Sequence, residues 1–290
     1  MFDNIFVAIE KWMRELLTGM VESNMSTMFT DVNEKTSEIA AQVGRTPQNW
    51  NSSVFSMIQN LSESVVVPIA GIIITLVLCY ELISMLTERN NLHDVDTWMF
   101  FKYFVKAWVA IYLVSNTFTI TMAVFDVGQS VVNSASGIIN GETAIDVSSL
   151  SMQMQAAMAT MEIGELVVLA LETFLVSFCM KIMSVVITVI VYGRMIEIYL
   201  YTSLAPIPFA TMSNREWGHV GTNYFRGLFA LAFQAFLMMV CVAIYAALIS
   251  SVRISSNMHS ALIGVAAYTV ILCFSLMKTG SLSKQIFGSH

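Results

Sequence analysis

Residues 65–85 form an almost uninterrupted apolar run. A helix needs roughly 20 apolar residues to cross the hydrocarbon layer of a bilayer, and this run has that length. Across all 290 residues, 56% are hydrophobic and 12% are charged, with a mean hydropathy of +0.70. The run and the composition together predict an all-α polytopic membrane protein and exclude an ordinary water-soluble domain.

Similar apolar runs recur along the chain and predict about five transmembrane helices in a transmembrane domain over residues 64–290. The predicted spans are residues 65–85, 103–125, 167–191, 225–249 and 261–277. Residues 195–212 are also apolar, but Pro206 and Pro208 interrupt regular helix there. A six-span alternative makes this segment a separate crossing. The proline break fits either a helix stop at the cytoplasmic surface, which we favour, or a transporter-type broken helix.

Residues 1–63 differ from the rest of the chain because charges and polar residues interrupt their apolar positions. Residues 2–20 carry apolar side chains at the three-and-four spacing of an amphipathic helix, which fits an interface, a partner or the protein's own helix ends. Residues 22–63 have too few apolar side chains for a core of their own. We therefore expect a small helical extramembrane region that docks on the membrane part or on neighbours. Residues 126–161 are expected to be a loop with one short helix.

Motifs for enzymes and cofactors are missing from the sequence. It has no phosphate-binding loop, no H-E-x-x-H, no C-x-x-C and no G-x-S-x-G. Its cysteines lie far apart inside apolar runs, and its histidines are separated near predicted helix ends; these are Cys79, Cys179, Cys241, Cys273, His93, His219, His259 and His290. We predict no disulfide framework, no metal site, no cofactor and no catalytic residue. The N-terminal residues also do not read as a cleavable secretory signal.

The distribution of positive charges predicts the orientation in the membrane, because short cytoplasmic loops are rich in Lys and Arg. No Lys or Arg occurs between Lys106 and Lys181. Five spans with the N-terminus outside place most cations on the cytoplasmic side, namely Arg89, Lys102, Lys106, Arg194, Arg215, Arg226, Lys278 and Lys284. Arg253 and the four cations before residue 46 are then external. The C-terminus is predicted to be cytoplasmic in the bacterial membrane.

Two ionisable residues, Glu172 and Lys181, fall inside the third predicted span. A charged side chain at membrane depth costs about 2.5–3.5 kcal/mol on insertion scales, so each needs a partner or access to water. Nine positions apart on a helix, they point to opposite faces and do not pair with each other. They are candidates for lining a polar pore or ion path; alternatively, Glu172 faces a neighbouring helix while Lys181 reaches the interface. Arg194 and Glu197 are expected to pair locally.

Several long strings resemble the TrbL-like conjugal transfer proteins, which are polytopic inner-membrane subunits of type IV secretion systems. The strings are VYGRMIEIYLYTSLAPIPFATM at 191–212, YFRGLFALAFQAF at 224–236 and KTGSLSKQIF at 278–287, with further likeness over 60–90 and 93–126. The form that they resemble most is the one carried by integrative conjugative elements of Gram-positive bacteria. The resemblance implies an external N-terminus, about five spans and a cytoplasmic C-terminus.

The resemblance also implies a function: a membrane-embedded part of the mating channel. Such a subunit assembles as a homo-oligomer, below an external stalk-type protein and near the transfer ATPases, and its passenger is single-stranded DNA bound to a relaxase. Lys102, Lys106, Arg215 and Arg226 are candidates for facing this polyanion at a cytoplasmic mouth, although they are equally well explained as topology determinants. Two alternatives stay open: a small-molecule or ion transporter using Glu172 and Lys181, and a scaffold without a lumen.

Overall fold

The computed structural model describes residues 2–87, 97–139, 147–252 and 258–289, and these are helical without a β-strand. The predicted all-α class is confirmed. Arg89, His93, Arg253 and His290 lie outside the described residues. The helices are α1 (Phe2–Val43), α2 (Pro47–Trp50), α3 (Ser52–Leu61), α4 (Val67–Thr87), α5 (Thr97–Ser115), α6 (Thr117–Ile139), α7 (Val147–Met158), α8 (Ile163–Ser203), α9 (Pro206–Thr211), α10 (Gly218–Ser250) and α11 (Met258–Ile286).

Within the described residues, five helical segments are long and apolar enough to cross a membrane, which confirms the polytopic prediction. They are Ser52–Thr87, Thr97–Ser115, Ile163–Ser203, Gly218–Ser250 and Met258–Ile286. The segment 195–212 is not a separate candidate span, because residues 195–203 belong to Ile163–Ser203. Several of these helices exceed a bilayer crossing: α8 has 41 residues and is about 60 Å long at 1.5 Å per residue, twice a hydrocarbon layer of about 30 Å.

The first of these segments is a continuous helix that contains a π-helical turn, Ser62–Val66, between α3 and α4. There the amide of Val67 bonds to the carbonyl of Ser62, five residues back. Pro68 follows directly; it has no amide hydrogen, and its ring would crowd the carbonyl of residue 64 in a regular α-helix. The sequence places Pro68 in a first helical turn, whereas in the structure the wider π turn accommodates it inside a longer helix.

Around the predicted span 103–125 the helices have different limits from those of the span. Helix α5 begins at Thr97 and ends at Ser115, and α6 then continues to Ile139, so residues 126–139 are helical rather than loop. At the junction the side-chain amide of Asn116 donates to the Tyr112 carbonyl at 2.9 Å, and the Thr117 hydroxyl donates to the carbonyls of Leu113 and Val114 at 2.8 Å. Side chains that bond back to the preceding turn often bend a helix, and the backbone bonds from Asn116 to Tyr112 at 3.1 Å and from Ile120 to Asn116 at 3.0 Å continue across the junction.

Helix α1 corrects the prediction of a short amphipathic helix at residues 2–20, because it runs without interruption to Val43. The second half buries a stripe of side chains at helical spacing, which are Val21, Met25, Met28, Phe29, Val32, Ile39 and Val43. Helix α1 lies along α7 and α8. The Arg14 guanidinium donates to the Met161 carbonyl at 2.8 Å, the Asn24 amide to the Thr173 hydroxyl at 3.5 Å, and the Lys35 ammonium to the Thr188 hydroxyl at 3.2 Å. Along α1 from Asn24 to Lys35, the bonded partner on α8 moves from Thr173 to Thr188. The two helices therefore run parallel here.

Two compact units make up the chain. The first, here the α1 unit, comprises Met1–Val43, Ser134–Val191 and Met238–Lys278; the second, here the α4–α5 unit, comprises Gly44–Asn133, Tyr192–Leu237 and Thr279–His290. The predicted boundary between residues 63 and 64 separates an extramembrane region from a transmembrane domain. This boundary stays a prediction.

Three apolar clusters of the described residues lie in the core of the α4–α5 unit. One joins α6, α8 and α10 through Val124, Phe125, Met195, Ile198, Leu228, Leu231 and Ala232. Another packs α9 on α4 and α5 through Ala70, Ile74, Ala110, Val114, Phe209 and Ala210. The smallest contains Ile58, Phe118 and Tyr199, and the Tyr199 hydroxyl donates to the Pro47 carbonyl at 2.6 Å, which ties α2 to α8. These clusters position the ends of α4, α5 and α9 beside one another.

Candidate functional site

Three of the four predicted mouth cations line one cavity of about 390 Å³ in the α4–α5 unit. Lys102 and Lys106 come from α5, and Arg215 comes from the turn between α9 and α10. Two carboxylates, Glu81 and Glu216, border the same cavity, so formal charges leave a positive excess. We call this site the basic cavity. Tyr80, Ser84, Met85, Met99, Tyr103 and Asn214 complete its lining.

Helix α4 supplies partners for the α5 side of the cavity. The Lys106 ammonium lies 2.5 Å from a Glu81 carboxylate oxygen, and the Glu81 side chain is 19% exposed. The Tyr103 hydroxyl donates to the Leu78 carbonyl at 2.9 Å. Among the described residues no carboxylate pairs with Lys102 in this way; its ammonium lies 5.7 Å from the centre of the Trp98 ring, a cation–π geometry. The Glu81 carboxylate thus partly compensates the positive charge of Lys106. The positive charge of Lys102 is more available to an anion from outside the chain.

The turn that carries Arg215 is held in place from both sides. The side-chain oxygen of Asn214 accepts bonds from the backbone amides of Glu216 at 2.7 Å and Trp217 at 3.0 Å, which satisfies donors at the start of α10. The Tyr80 hydroxyl donates to Glu216 at 3.0 Å, and the Tyr80 ring stacks on Trp217 at 5.9 Å. Arg215 is therefore presented by an ordered turn on the side of α4.

The fourth predicted cation, Arg226, lies elsewhere. It is exposed on α10, near the C-terminal Gly288, and does not line the basic cavity. The four cations therefore do not form one site. Lys102 and Lys106 lie one helical turn apart and belong together from sequence alone, but only the fold shows that Arg215 and not Arg226 joins them.

The proline break lies deeper in the protein than the sequence suggests. Helix α8 ends at Ser203, and α9 starts with Pro206, where a missing amide hydrogen costs little. We expected a helix stop at the surface, but Phe209 and Ala210 are buried against apolar residues of α4 and α5, such as Ala70 and Ile74. The amide of Ala205 bonds to Thr202 at 3.3 Å and that of Ile207 to Leu204 at 3.2 Å, so the irregular backbone is satisfied within the protein.

The structure does not bring Glu172 and Lys181 together. In the α1 unit, Glu172 pairs with Nδ1 of His259 at the start of α11, whereas Lys181 is exposed. Sequence reasoning missed His259, because nothing in the sequence says that the start of α11 lies beside the first turns of α8. Within the described residues no group of three or more His, Cys, Asp or Glu side chains could hold a metal ion.

Arg194 and Glu197 are not the local pair that their spacing suggests. Arg194 is buried and donates to the Leu231 carbonyl of α10 at 3.3 Å. Glu197, three residues further on, pairs instead with Lys284 of α11 at 3.2 Å. Because the two side chains reach different helices, the prediction of an Arg194–Glu197 pair is wrong. A buried guanidinium that bonds to a neighbouring helix fixes the packing of α8 on α10.

A family model described as TrbL/VirB6 plasmid conjugal transfer like protein matches residues 32–206, which is more than half of the chain. The chain belongs to this family. The resemblance seen in the sequence is confirmed, and the TrbL/VirB6-like family is one of structural conjugation subunits of type IV secretion systems. The match includes Lys102 and Lys106 and ends at Pro206, so Arg215 lies outside it. No curated protein and no solved structure matches the chain.

Proposed function

We propose that this protein is a membrane-embedded channel or scaffold subunit of a conjugative type IV secretion system. In this role it supports the transfer of single-stranded DNA together with its relaxase. The observation that carries the proposal is the family match over residues 32–206, on a chain whose described part contains five apolar helices long enough to span a bilayer. The proposed partners are further copies of the chain, an external stalk-type protein, the transfer ATPases, membrane lipid and, transiently, the DNA passenger.

The basic cavity bears on the choice between five and six spans, because it places Arg215 beside Lys102 and Lys106. With five spans, the N-terminus outside and the C-terminus in the cytoplasm, Lys102, Lys106 and Arg215 share the cytoplasmic side. In the six-span alternative, Arg215 is on the opposite side of the membrane from both lysines. Convergence of the three cations on one cavity favours five spans over six, and the external N-terminus rests on the distribution of positive charges along the chain. A positive cavity at a cytoplasmic mouth would attract the phosphates of an arriving single strand.

The transporter alternative, which uses Glu172 and Lys181, has less support than the secretion subunit. The two side chains do not lie together, because Glu172 pairs with His259 and Lys181 is exposed. No observation in the described residues favours it over a secretion subunit.

An in-frame deletion of the gene tests the proposed function. We expect conjugative DNA transfer to be abolished while relaxase nicking of the element continues, because the subunit acts after DNA processing. Complementation in trans with the intact gene serves as the control and should restore transfer. Unchanged transfer in the deletion strain would refute the proposal, and loss of nicking would assign the protein to DNA processing instead.

A further inference from the structure

The basic cavity lies where two candidate spans have their charged ends. The last two turns of α4 supply Glu81, and the first three turns of α5 supply Lys102 and Lys106. Residues 67–79 of α4 carry no charge, and neither do residues 107–115 of α5. Charge is therefore confined to one end of both helices. The cavity lies at the level where a bilayer changes from hydrocarbon to headgroups.

Large apolar side chains stand next to the lining residues on both helices. Ile83 of α4 and Trp98, Phe101 and Phe104 of α5 are all exposed. The rings of Trp98 and Phe101 stack at 5.3 Å, and the Lys102 ammonium lies over the Trp98 ring. Aromatic rings and long cationic side chains at the end of a span are typical of the membrane interface. Apolar surface that suits acyl chains thus adjoins the polar walls of the cavity.

The side-chain amide of Asn214 forms part of the cavity wall. The residue is 4% exposed, and its side-chain oxygen accepts from the backbone amides of Glu216 and Trp217, which leaves the Nδ2 hydrogens as its donors. Among the described residues no acceptor bonds to this nitrogen. A buried donor without an acceptor is rare and unfavourable, so an oxygen atom of a molecule bound in the cavity is suited to fill this place.

The charges of the cavity match one phosphate better than a strand of many. The described residues that line it include three cations and two carboxylates, which leaves a formal excess of one positive charge. A single strand carries a charge on every nucleotide and is held along a track of cations. Arg226 does not extend such a track, because it lies elsewhere on α10. The same positive excess attracts a strand from outside, but the walls fit a smaller anion with an apolar part.

We propose that the basic cavity binds the headgroup of an anionic phospholipid, such as phosphatidylglycerol, whose acyl chains lie along the exposed sides of α4 and α5. The phosphate lies between Lys102 and Arg215 and accepts a bond from the Asn214 amide, while Glu81 holds Lys106 beside it. The volume of about 390 Å³ is within the range of small-molecule sites, about 300–1,000 Å³. Basic pockets between membrane helices recognise lipid headgroups in this way. The proposal goes beyond the proposed function and applies equally to a channel and to a scaffold.

Binding of lipid to charge-matched variants tests the proposal. Lys102→Gln with Arg215→Gln removes two cations of the cavity, and Lys181→Gln with Arg226→Gln removes two exposed cations elsewhere. Asn214→Asp keeps a side-chain oxygen at the start of α10 but loses the donor hydrogens. Each full-length protein is purified in mild detergent, freed of lipid and titrated with phosphatidylglycerol or phosphatidylcholine. Native mass spectrometry counts the bound lipids, and unfolding midpoints without lipid show that each variant is folded.

We expect the double cavity variant to bind phosphatidylglycerol about 25-fold more weakly than the wild type, since each cation contributes about fivefold to the binding of anionic lipid. Asn214→Asp should also bind it more weakly, because a donor is replaced by a negative charge. The double variant outside the cavity should bind it as the wild type does. Phosphatidylcholine should bind the wild type more weakly than phosphatidylglycerol.

Three results overturn the proposal. Equal phosphatidylglycerol binding by the wild type and the double cavity variant, or an equal loss in the control variant, removes the headgroup from the cavity. Displacement of the lipid by the same concentration of glycerol phosphate assigns the cavity to a small soluble anion. Displacement by the same concentration of an oligothymidylate assigns it to the DNA strand. Any of them leaves the deletion result, and hence the secretion proposal, unaffected.

Discussion

At the scale of single residues, the basic cavity depends on how its charges are compensated. Lys106 and Glu81 form an ion pair with limited solvent access, since their side chains are 39% and 19% exposed. An ion pair of this kind stabilises little overall, but removing one partner leaves the other in a poorly hydrated position. Lys102 lies over an aromatic ring instead and is the cation more available to an incoming anion.

Replacing Lys106 tests this compensation. Lys106→Gln should lower the stability of the protein by about 1–3 kcal/mol, because the Glu81 carboxylate loses its partner. The double variant Lys106→Gln with Glu81→Gln should recover much of that loss. The measurement is the midpoint of thermal unfolding in detergent for both single variants and the double variant. Strictly additive effects would show that the two side chains do not interact.

Lys102 has a different expected role. Its cation–π contact with Trp98 contributes only about 0.5–1 kcal/mol at an exposed site, so Lys102→Gln should leave the unfolding midpoint nearly unchanged. We expect the same variant to lower conjugative transfer, because it removes one of the three cations of the cavity. Lys102→Arg keeps the charge and is the matched control. Equal transfer by Lys102→Gln and the wild type would mean that the cavity does not meet the passenger.

At the scale of the elements, the break between α8 and α9 shapes the α4–α5 unit. Two prolines prevent α8 from continuing, and the short helix α9 then packs on α4 and α5. The start of α10 lies directly against α9: a methyl group at Gly221 would overlap the Pro208 carbonyl oxygen and the Met212 side chain. Close approach of backbone to backbone, not a special backbone angle, is the reason for glycine here.

Gly221→Ala should therefore destabilise the protein, because a backbone carbonyl moves less easily than a side chain. The matched control is Gly71→Ala on α4, where the added methyl group meets nothing within 4 Å. Membrane insertion and the unfolding midpoint of both variants are the measurements. A wild-type midpoint for Gly221→Ala would show that α9 does not pack on α10 as described.

The sequence largely predicts which segments are helices. It does not predict where each helix ends or which helices pack against one another. Five apolar runs of sufficient length identify the spans, since lipid leaves helix as the only structure for them. The end of α5 at Ser115 and the start of α6 at Thr117 are features that hydropathy does not register. The amphipathic half of α1 was recognisable from Val21, Met25, Met28 and Val32, but the abundance of Ser, Thr and Asn obscured that spacing.

The same difference holds for the candidate site. Lys102 and Lys106 were predicted as a pair because they lie one helical turn apart. The contact of Arg215 with the same cavity depends on how α9 returns along α4, and that path is set by packing of Phe209 and stacking of Tyr80 on Trp217. Pairings such as Glu172 with His259 join positions 87 residues apart. Such long-range neighbours leave no local pattern in one sequence.

At the scale of the whole molecule, the chain is a multi-pass membrane protein of a conjugal transfer family. Its orientation is testable with reporters that are active on only one side of the membrane. Fusions after residue 290 and within residues 88–96 should report the cytoplasm, and fusions within 140–146 should report the exterior. A fusion after Met212 separates the alternatives, because five spans place it in the cytoplasm and six spans place it outside.

A channel built from this protein requires several copies of the chain to assemble. Native mass spectrometry of the protein extracted from membranes in mild detergent measures it directly. The proposed channel predicts a homo-oligomer with one dominant number of copies that persists on dilution. A stable monomer under the same conditions would contradict a channel assembled from several copies of this chain.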